Sequence, residues 1–311
     1  MKNTGHTDLP LHGGKVPYWL ATRMAKLGGA ITEAIVEEYG KEAFLSKLSD
    51  PFWFQSFGAV LGMDWHSSGI TTSVMGALKK AINPISNSLG IYVCGGRGKH
   101  SLKTPSELLS LADKVGFDGD ELVRSSKLSA KVDNTAVQDG YQLYLHSFVV
   151  TSEGEWSVIQ QGMNNLNGMA RRYHWHSLKV DSFINEPHAA VCGINKGKIL
   201  NLTASEAQNT TGGILEIAQS NNPSLTKEFK RILVMPRHHK VKSQNVDLKR
   251  LGSTLAMAHD QGVESFEELL LLKGVGPRTI QSLTLVSEVI HGTPSRFSDP
   301  ARFSLPPWAK E

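Results

Sequence analysis

The stretch YQLYLHSFVVTSEGEWSVIQQGM, residues 141–163, decides the fold of this chain. Two runs rich in β-branched and aromatic residues flank a polar segment, SEGE, at residues 152–155. This pattern is typical of two antiparallel strands joined by a short turn. The sequence therefore predicts a β-hairpin, and a turn at this segment places His146 opposite Gln161 on one face.

Helices are predicted before the hairpin, and short strands are predicted on both sides of it. Apolar residues recur at helical spacing from residue 17 to residue 39. IYVC at residues 91–94 is typical of a buried strand. ARRYHWHSLKV at residues 170–180 and HAAVCGI at residues 188–194 predict two further strands.

The last third of the chain changes in character. Residues 237–245 are polar and basic, as in a linker, and the pattern from residue 246 to residue 292 is helical. We therefore predict an α+β fold, in which a mixed α/β N-terminal domain at residues 1–236 has the antiparallel hairpin at its centre. A small all-α module follows at residues 246–292, and the tail at residues 293–311 is predicted to be extended.

The composition limits the class of protein. The 311 residues carry a net charge of +4 and two cysteines, Cys94 and Cys192, which form no CxxC pair. A zinc knuckle or a disulfide scaffold is therefore not expected, and a reducing compartment fits best. The first residues lack the apolar region of a signal peptide, and no apolar run approaches the roughly 20 residues that span a bilayer. We expect a cytoplasmic protein without a membrane segment.

The stretch LLLLKGVGPRTIQSL, residues 269–283, predicts two helices joined by a tight turn. Gly274 and Gly276 allow backbone angles that other residues resist, and Pro277 is typical of the first position of a helix. Backbone amides at such a turn can form a nest for an anion. Lys273 and Arg278 flank the turn with positive charge.

This stretch resembles the helix-hairpin-helix motif, which grips a DNA backbone phosphate without reading the base sequence. The resemblance rests on Leu272, the Gly-Val-Gly turn and Leu283, while Ile280 stands where the motif often has Ala. It implies DNA contacts by Lys273, Gly274, Val275, Gly276, Arg278 and Thr279. The alternative is a pair of helices with a tight turn and no ligand.

A second glycine-rich segment, CGGRGKHSLKTP at residues 94–105, lies between a predicted strand and a predicted helix. It does not match the P-loop pattern, because Val93 and His100 stand where Gly and Ser or Thr are required. Its cationic residues, Arg97 and Lys99 among them, predict a basic loop that contacts DNA phosphates. A solvated turn without a ligand is the alternative.

The hairpin resembles the layout of a restriction-type metal nuclease, which places an Asp before one strand and Glu-x-Lys on the next. Asp139 precedes the first strand here, but Gln161 replaces the carboxylate and no Lys follows it. Glu186-Pro187-His188 predicts a rigid turn that offers a carboxylate and an imidazole. Such ligands suit a divalent metal ion that activates water against a phosphodiester.

We therefore predict a site for Mg²⁺ or Mn²⁺ in the N-terminal domain. The predicted catalytic residues are Asp139, His146, Gln161 and His188. The predicted metal ligands are Asp139, His146, Glu186 and His188, with the glutamine orienting a phosphate or water. Alternatively, each histidine is an ordinary structural residue and the polar hairpin face is a hydrated sheet surface.

Several phrases together resemble the prokaryotic family known as domain of unknown function 763. They are TGHTDLPLHGGKVPYWL, DPFWFQSFGAVLGMDWHSSG, VIQQGMN, ARRYHW, EPHAAV and GVGPRTIQSL. The resemblance covers nearly the whole chain and implies an N-terminal domain followed by a helix-hairpin-helix, but no particular activity. It also implies that relatives continue past DPARFS with a Gly- and His-containing tail, where this chain reads LPPWAKE.

Two functions of different classes follow from these patterns. The first is a DNA-processing enzyme, a metal-dependent nuclease that holds the DNA backbone through the helix-hairpin-helix. The second is a structure-specific DNA-binding protein without chemistry, which acts with a partner. RNA is a third, weaker option, because a grip on backbone phosphates does not exclude it.

Overall fold

A computed structural model describes residues 9–11, 16–63, 67–220 and 248–302. Its centre is an antiparallel β-sheet with the strand order β1–β6–β5–β4–β2, in which β7 also pairs with β6. A small second sheet has the order β3–β8–β9. The strands are β1 (Leu9–Pro10), β2 (Ile91–Arg97), β3 (Val137–Gln138), β4 (Gln142–Thr151), β5 (Trp156–Asn164), β6 (Met169–His176), β7 (Ala190–Cys192), β8 (Lys198–Asn201) and β9 (Phe297–Ser298).

The predicted hairpin is confirmed as β4 and β5, but its predicted register is wrong by one residue. His146 pairs with Gln160, and Gln161 pairs with Leu145. Because side chains alternate between the two faces of a strand, this shift of one residue moves Gln161 to the opposite face from His146. The two faces of the sheet therefore carry different polar side chains from those the sequence predicted.

Helices cover both faces of the central sheet, which confirms the predicted α+β class. The helix predicted from residue 17 to residue 39 is confirmed as α1. The helices are α1 (Tyr18–Tyr39), α2 (Lys41–Ser49), α3 (Pro51–Val60), α4 (Ser68–Ile82), α5 (Ser86–Leu89), α6 (Thr104–Val115), α7 (Gly119–Lys131), α8 (Gln208–Gln219), α9 (Leu248–Asp260), α10 (Phe266–Leu271) and α11 (Pro277–His291).

Two hydrophobic cores lie on opposite faces of the sheet. Helices α1 to α4 pack on the face that carries Val93, Val149 and Ile159. Helices α6 to α11 pack on the other face, which carries Phe148 and Trp175. Each large apolar side chain that is fully buried contributes about 1.5–3 kcal/mol. The sheet is therefore held between two helical layers, and the second layer includes the C-terminal helices.

The C-terminal helices share the second core with the sheet. Leu269 and Ile280 belong to the same buried cluster as Trp175. Arg124 of α7 also forms an ion pair of 2.5 Å with Glu267 of α10. The predicted domain boundaries stay a prediction. The predicted linker at residues 237–245 lies outside the described residues, as does the helix whose start Asn222-Pro223 indicates in the sequence.

The segment before α6 differs from its prediction. Strand β2 continues to Arg97, and a 3-10 helix then occupies Gly98–Lys103. Thr104-Pro105-Ser106-Glu107 matches a capping box, which predicts Thr104 as the N-cap, but this prediction is wrong because α6 already begins at Thr104. Glu107 instead accepts hydrogen bonds from Lys79 Nζ and from the amide of Gly95, both at 2.7 Å. Glu107 therefore contacts Lys79 and the amide of Gly95 instead of the backbone at the start of its own helix.

Within the described ranges, no helix is both long enough and apolar enough to cross a membrane.

Candidate functional site

The predicted pair of helices with a glycine turn is present as α10 and α11. The Ser265 hydroxyl caps α10 by accepting a hydrogen bond of 3.2 Å from the amide of Glu268. Residues 272–276, here called the helical turn, then reverse the chain. Gly274 has a φ of +94°, in the left-handed region that glycine tolerates best. The amide of Val275 donates to the carbonyl of Leu272 at 3.2 Å and closes the turn.

The helical turn buries one side chain and exposes its charges. Val275 points into the core and is 3% exposed. Lys273 and Arg278 are exposed on either side, and Thr279 is buried in the first turn of α11. A Cβ added at Gly276 would meet no atom within 4 Å apart from the neighbouring residues of the chain. Open space therefore lies directly in front of the backbone at the start of α11.

Two side chains from the N-terminal part of the chain hold the helical turn in place. Lys131 Nζ, at the end of α7, donates to the carbonyl of Val275 at 2.5 Å. Gln138 Nε2 of β3 donates to the carbonyl of Pro277 at 2.8 Å. Burial lowers the pKa of Lys131. The position of the turn relative to α7 is therefore fixed by direct hydrogen bonds.

A cleft of about 530 Å³ opens between the helical turn, α7, β4 and the 3-10 helix at Gly98–Lys103. Lys127 and Lys131 line it, and its described lining includes no Asp or Glu. The remaining lining residues are Ser101, Leu102, Pro105, Ser126, Ala130, Asn134, Thr135, Gln142, Leu143, Tyr144, Leu145, His146, Leu271, Val275, Gly276 and Pro277. The charged side chains of the cleft are thus positive.

The predicted basic residues of the second glycine-rich segment lie near this cleft. Arg97 is exposed, and its guanidinium lies 5.8 Å from the ring centroid of Tyr144, which lines the cleft. Lys99 is exposed on the 3-10 helix whose residues Ser101 and Leu102 form part of the lining. Both residues therefore add positive charge beside the cleft without lining it.

His146 lies at the floor of the cleft and belongs to a chain of buried hydrogen bonds, here called the relay. Its Nε2 lies 2.9 Å from Ser126 Oγ, and its Nδ1 lies 2.9 Å from Gln160 Oε1. Gln160 Nε2 donates to Asp133 Oδ2 at 2.6 Å. Asp133 Oδ1 in turn lies 2.5 Å from His188 Nε2. The relay thus joins His146 to His188, two of the predicted catalytic residues.

The relay fixes the chemical state of His146. Trp175 Nε1 also donates to Asp133 Oδ2, at 3.0 Å, so this oxygen acts as an acceptor. Gln160 then presents its NH₂ group to Asp133 and its carbonyl oxygen to His146. A carbonyl only accepts, so His146 carries its proton on Nδ1. Burial lowers the pKa of His146 to about 4, which leaves Nε2 as an unprotonated base facing Ser126.

Asp139 lies in a different cluster. Its Oδ2 accepts from Arg171 at 2.9 Å and from the Tyr173 hydroxyl at 2.5 Å, and its Oδ1 accepts from the amide of Tyr141 at 2.9 Å. Arg171 also pairs with Asp299 at 2.8 Å. Burial by itself lowers the pKa of Arg171, but the Asp139 carboxylate and the other groups around it outweigh burial and raise it. Asp139 therefore has the contacts of a buried structural ion pair.

Glu186 and His188 line a second, polar pocket of about 410 Å³. Glu186 is exposed, pairs with Arg302 at 3.2 Å and has a φ of +46°, which is uncommon outside glycine. His188 contacts Asp133 at the inner end of this pocket. The turn that the sequence predicted at these residues therefore exposes the carboxylate and directs the imidazole inwards.

Gln161 lies on the opposite face of the sheet from the relay. Its Nε2 donates to the carbonyl of Ser68 at 2.9 Å and contacts the Tyr144 hydroxyl. In the described part of the chain, no three His, Cys, Asp or Glu side chains are grouped to hold a metal ion. The metal ion stays a prediction, and its four predicted ligands are divided between the relay, the Asp139 cluster and the second pocket.

Sequence reasoning missed most of the cleft. Ser126, Lys127 and Lys131 lie in α7, and Gln160 lies one position from the residue that was chosen. A signal was present in α7, where Ser126 and Ser129 fall on the buried side of an amphipathic helix. Hydroxyls at core positions need hydrogen-bond partners, and that need could have pointed to a polar cluster behind the helix.

Together, the fold and the cleft define an α+β protein with a cationic cleft and a buried polar relay beneath it. The chain belongs to the family described as "Protein of unknown function (DUF763)", whose model matches residues 5–309. This match confirms the predicted family. No curated protein and no solved structure matched the chain.

Proposed function

We propose that this protein binds the backbone of DNA across the cleft beside the helical turn. The observation that carries the proposal is the charge of the cleft, whose described lining contains Lys127 and Lys131 and no carboxylate. The phosphates of DNA are attracted by these lysines, and no carboxylate in the described lining repels them. Phosphate contacts of this kind dominate the affinity of proteins for DNA.

The helical turn supplies the second half of the argument. The space in front of Gly276 lets a phosphate approach the backbone closely, as no side chain stands between them. Helix α11 begins at Pro277, and the positive end of its dipole faces the same space. Lys273 and Arg278 are exposed beside it. These features favour a helix-hairpin-helix contact with backbone phosphates, which carry no information about base sequence.

Cleavage of the bound strand is a second candidate function, favoured by the unprotonated His146 at the floor of the cleft. A divalent metal ion, if bound, would activate water or polarise a phosphate oxygen. The described residues do not fit one such ion, because both oxygens of Asp139 and both ring nitrogens of His146 already have hydrogen-bond partners. No step is therefore assigned to a metal ion.

The binding proposal is tested by fluorescence anisotropy with labelled linear and branched DNA. The double variant Lys273→Ala/Arg278→Ala should weaken binding about tenfold or more in 100 mM salt, as two phosphate contacts are lost. Lys26→Ala is the matched control, because this exposed lysine lies on α1, which covers the other face of the sheet. Equal affinity of the wild type and the double variant would contradict the proposal. RNA of the same length, used as a competitor, tests the preference for DNA.

The cleavage candidate needs its own experiment. Labelled branched DNA is followed over time with the full chain, once in Mn²⁺ and once in EDTA. Products in Mn²⁺ alone would support a metal-dependent nuclease. Intact DNA in both buffers, together with clear binding, would support the DNA-binding protein without chemistry.

A further inference from the structure

We propose that Ser126 is a nucleophile that attacks a DNA phosphodiester in the cleft, with His146 as its base and Gln160 as the residue that positions the base. This inference rests on the proposed binding function and adds a reaction to it. It differs from the predicted nuclease, because a serine activated by histidine needs no metal ion to move its proton.

Ser126 makes a hydrogen bond that is unusual for a serine inside a helix. A serine inside a helix usually bonds back to a carbonyl of its own helix, and Ser129 does so with the carbonyl of Ser126 at 3.1 Å. Ser126 instead directs its hydroxyl at His146 Nε2, 2.9 Å away. In an activated serine, the nucleophile lies within hydrogen-bond reach of a base, and a third group holds that base in place.

Ser126 and His146 both lie at the surface of the cleft. Ser126 and His146 are only 3% and 5% exposed, but both line the cleft. Their reachable atoms therefore face the space in which the phosphate is proposed to bind. Lys127 follows Ser126 directly and lines the same cleft, where its charge can stabilise the phosphoryl oxygens during attack.

The hydrogen bonds behind His146 run in a defined direction. Trp175 and Gln160 both donate to Asp133 Oδ2, so Gln160 must present its carbonyl to His146 Nδ1. This orientation holds whichever of Asp133 and His188 carries the proton between them, because that proton lies at Oδ1. Gln160 therefore fixes the tautomer in which Nε2 of His146 can take a proton from Ser126.

The reaction balances without a further reactant besides water. Ser126 Oγ forms a bond to phosphorus, its proton moves to His146 Nε2, and the bond from phosphorus to the leaving deoxyribose oxygen breaks. The leaving oxygen takes a proton from water, and His146 returns its own proton to the solvent. A water molecule then attacks phosphorus, gives its proton to His146 Nε2, and releases Ser126, which recovers the proton. The net reaction is hydrolysis of one phosphodiester.

The test is covalent trapping in EDTA with fluorescent duplex and branched DNA that carries a bridging phosphorothiolate. A thiolate that leaves from this linkage attacks back poorly, so a phosphoserine ester accumulates. Two probes are used, with sulfur at the 5′ or the 3′ bridging position, because either oxygen could leave. We expect an adduct that survives SDS, with the label on the peptide that contains Ser126.

Variants of α7 decide which serine reacts. Ser126→Ala should lower adduct formation at least 100-fold, whereas Ser129→Ala, in the same helix and equally buried, should leave it within twofold. Both variants must melt cooperatively, and their adduct formation is compared at protein concentrations that saturate the probe. If Ser126→Ala does not fold, the labelled peptide of the wild-type adduct decides alone, and a label on any other residue overturns the proposal.

A change at Gln160 tests its role as a positioning residue. Adduct formation by the wild type should rise with pH, with a midpoint near the His146 pKa of about 4. Gln160→Glu should move this midpoint upwards, as a carboxylate beside Nδ1 stabilises the imidazolium. An unchanged midpoint would show that residue 160 does not contact the base that accepts the proton, and that result would remove Gln160 from the proposal.

The outcomes separate the two proposals. Tight binding of both probes without any adduct overturns the serine nucleophile and leaves the DNA-binding function standing. No binding of either probe overturns the DNA-binding function itself.

Discussion

His146 and Gln160 face each other across β4 and β5, with His146 Nδ1 and Gln160 Oε1 2.9 Å apart. This contact joins the floor of the cleft to the buried carboxylate of Asp133. It also fixes which nitrogen of His146 carries the proton. The cleft is therefore more than a cationic groove, because the base at its floor is already oriented.

Replacement of Gly276 by valine tests the proposed contact with the backbone of the helical turn. The φ of Gly276 is −148°, an extended conformation that valine adopts readily, and a Cβ added there would meet no atom within 4 Å apart from the neighbouring residues of the chain. Gly276→Val should therefore keep the melting temperature within about 2 °C and still weaken DNA binding at least tenfold, as the side chain blocks the approach of a phosphate. Anisotropy measures the affinity for DNA, and thermal unfolding measures the melting temperature. Unchanged affinity would show that the DNA does not approach this part of the backbone.

The salt dependence of the binding constant gives the number of phosphate contacts. For duplex DNA, log K falls with log salt with a slope of about −0.9 for each phosphate neutralised. The slope of Lys273→Ala/Arg278→Ala should be shallower than that of the wild type by about 2. Lys127→Ala should reduce it by about 1. Titrations between 50 and 300 mM salt measure these slopes, and identical slopes for all proteins would place the contacts elsewhere.

Asp139 is expected to stabilise the fold. Asp139→Ala removes one of two carboxylates beside the buried guanidinium of Arg171. Breaking a buried pair costs about 3–5 kcal/mol, and the lower end applies here because Asp299 remains. Urea unfolding measures the loss, with Asp113→Ala on the exposed side of α6 as the control. A loss below about 1 kcal/mol together with lost cleavage would return Asp139 to the catalytic residues.

Burial of His146 makes stability depend on pH. The pKa of His146 is lowered from 6.5 to about 4 in the folded chain, so the unfolded chain alone takes up this proton between those values. The free energy of unfolding should therefore fall as the pH falls from 6.5 to 4, by on the order of 3 kcal/mol from this residue at most. Above pH 6.5, His146 is neutral in both the folded and the unfolded chain, so it no longer lowers the free energy of unfolding.

His146→Gln should reduce that pH dependence without abolishing it. Burial and the charge of Arg172 lower the pKa of His174 well below its usual value, so His174 contributes a dependence of the same sign. Urea unfolding of the wild type and the variant at pH 7, 6, 5 and 4.5 gives the difference in slope. Parallel curves would mean that His146 takes up its proton equally well in the folded chain.

The fold was largely predictable, because its strongest signals are local. Alternating apolar residues predicted β4 and β5, and apolar spacing predicted α1. The register was not predictable, since a turn of four residues does not fix which side chains lie opposite each other. The start of α6 was not predictable either. Glu107 bonds to Lys79 and to the amide of Gly95, and not to the backbone at the start of its own helix.

The candidate site was only partly predictable. The structure joins His146 and His188 in one polar system, and their catalytic role stays a prediction. The two residues between them, Gln160 and Asp133, are brought there by strand pairing and by the end of α7. The lysines of α7 meet the helical turn, about 145 residues later in the sequence, through contacts such as Lys131 to Val275. Such tertiary contacts leave no local pattern in the sequence.

The most direct measurement of the central claim is amide hydrogen exchange of the full chain with and without saturating duplex DNA. If DNA binds across the cleft, amides at residues 272–279 and 126–135 should exchange more slowly in the complex. Peptides from α1, on the opposite side of the sheet, should not change. Slower exchange confined to other segments, with these two unchanged, would contradict the proposed site.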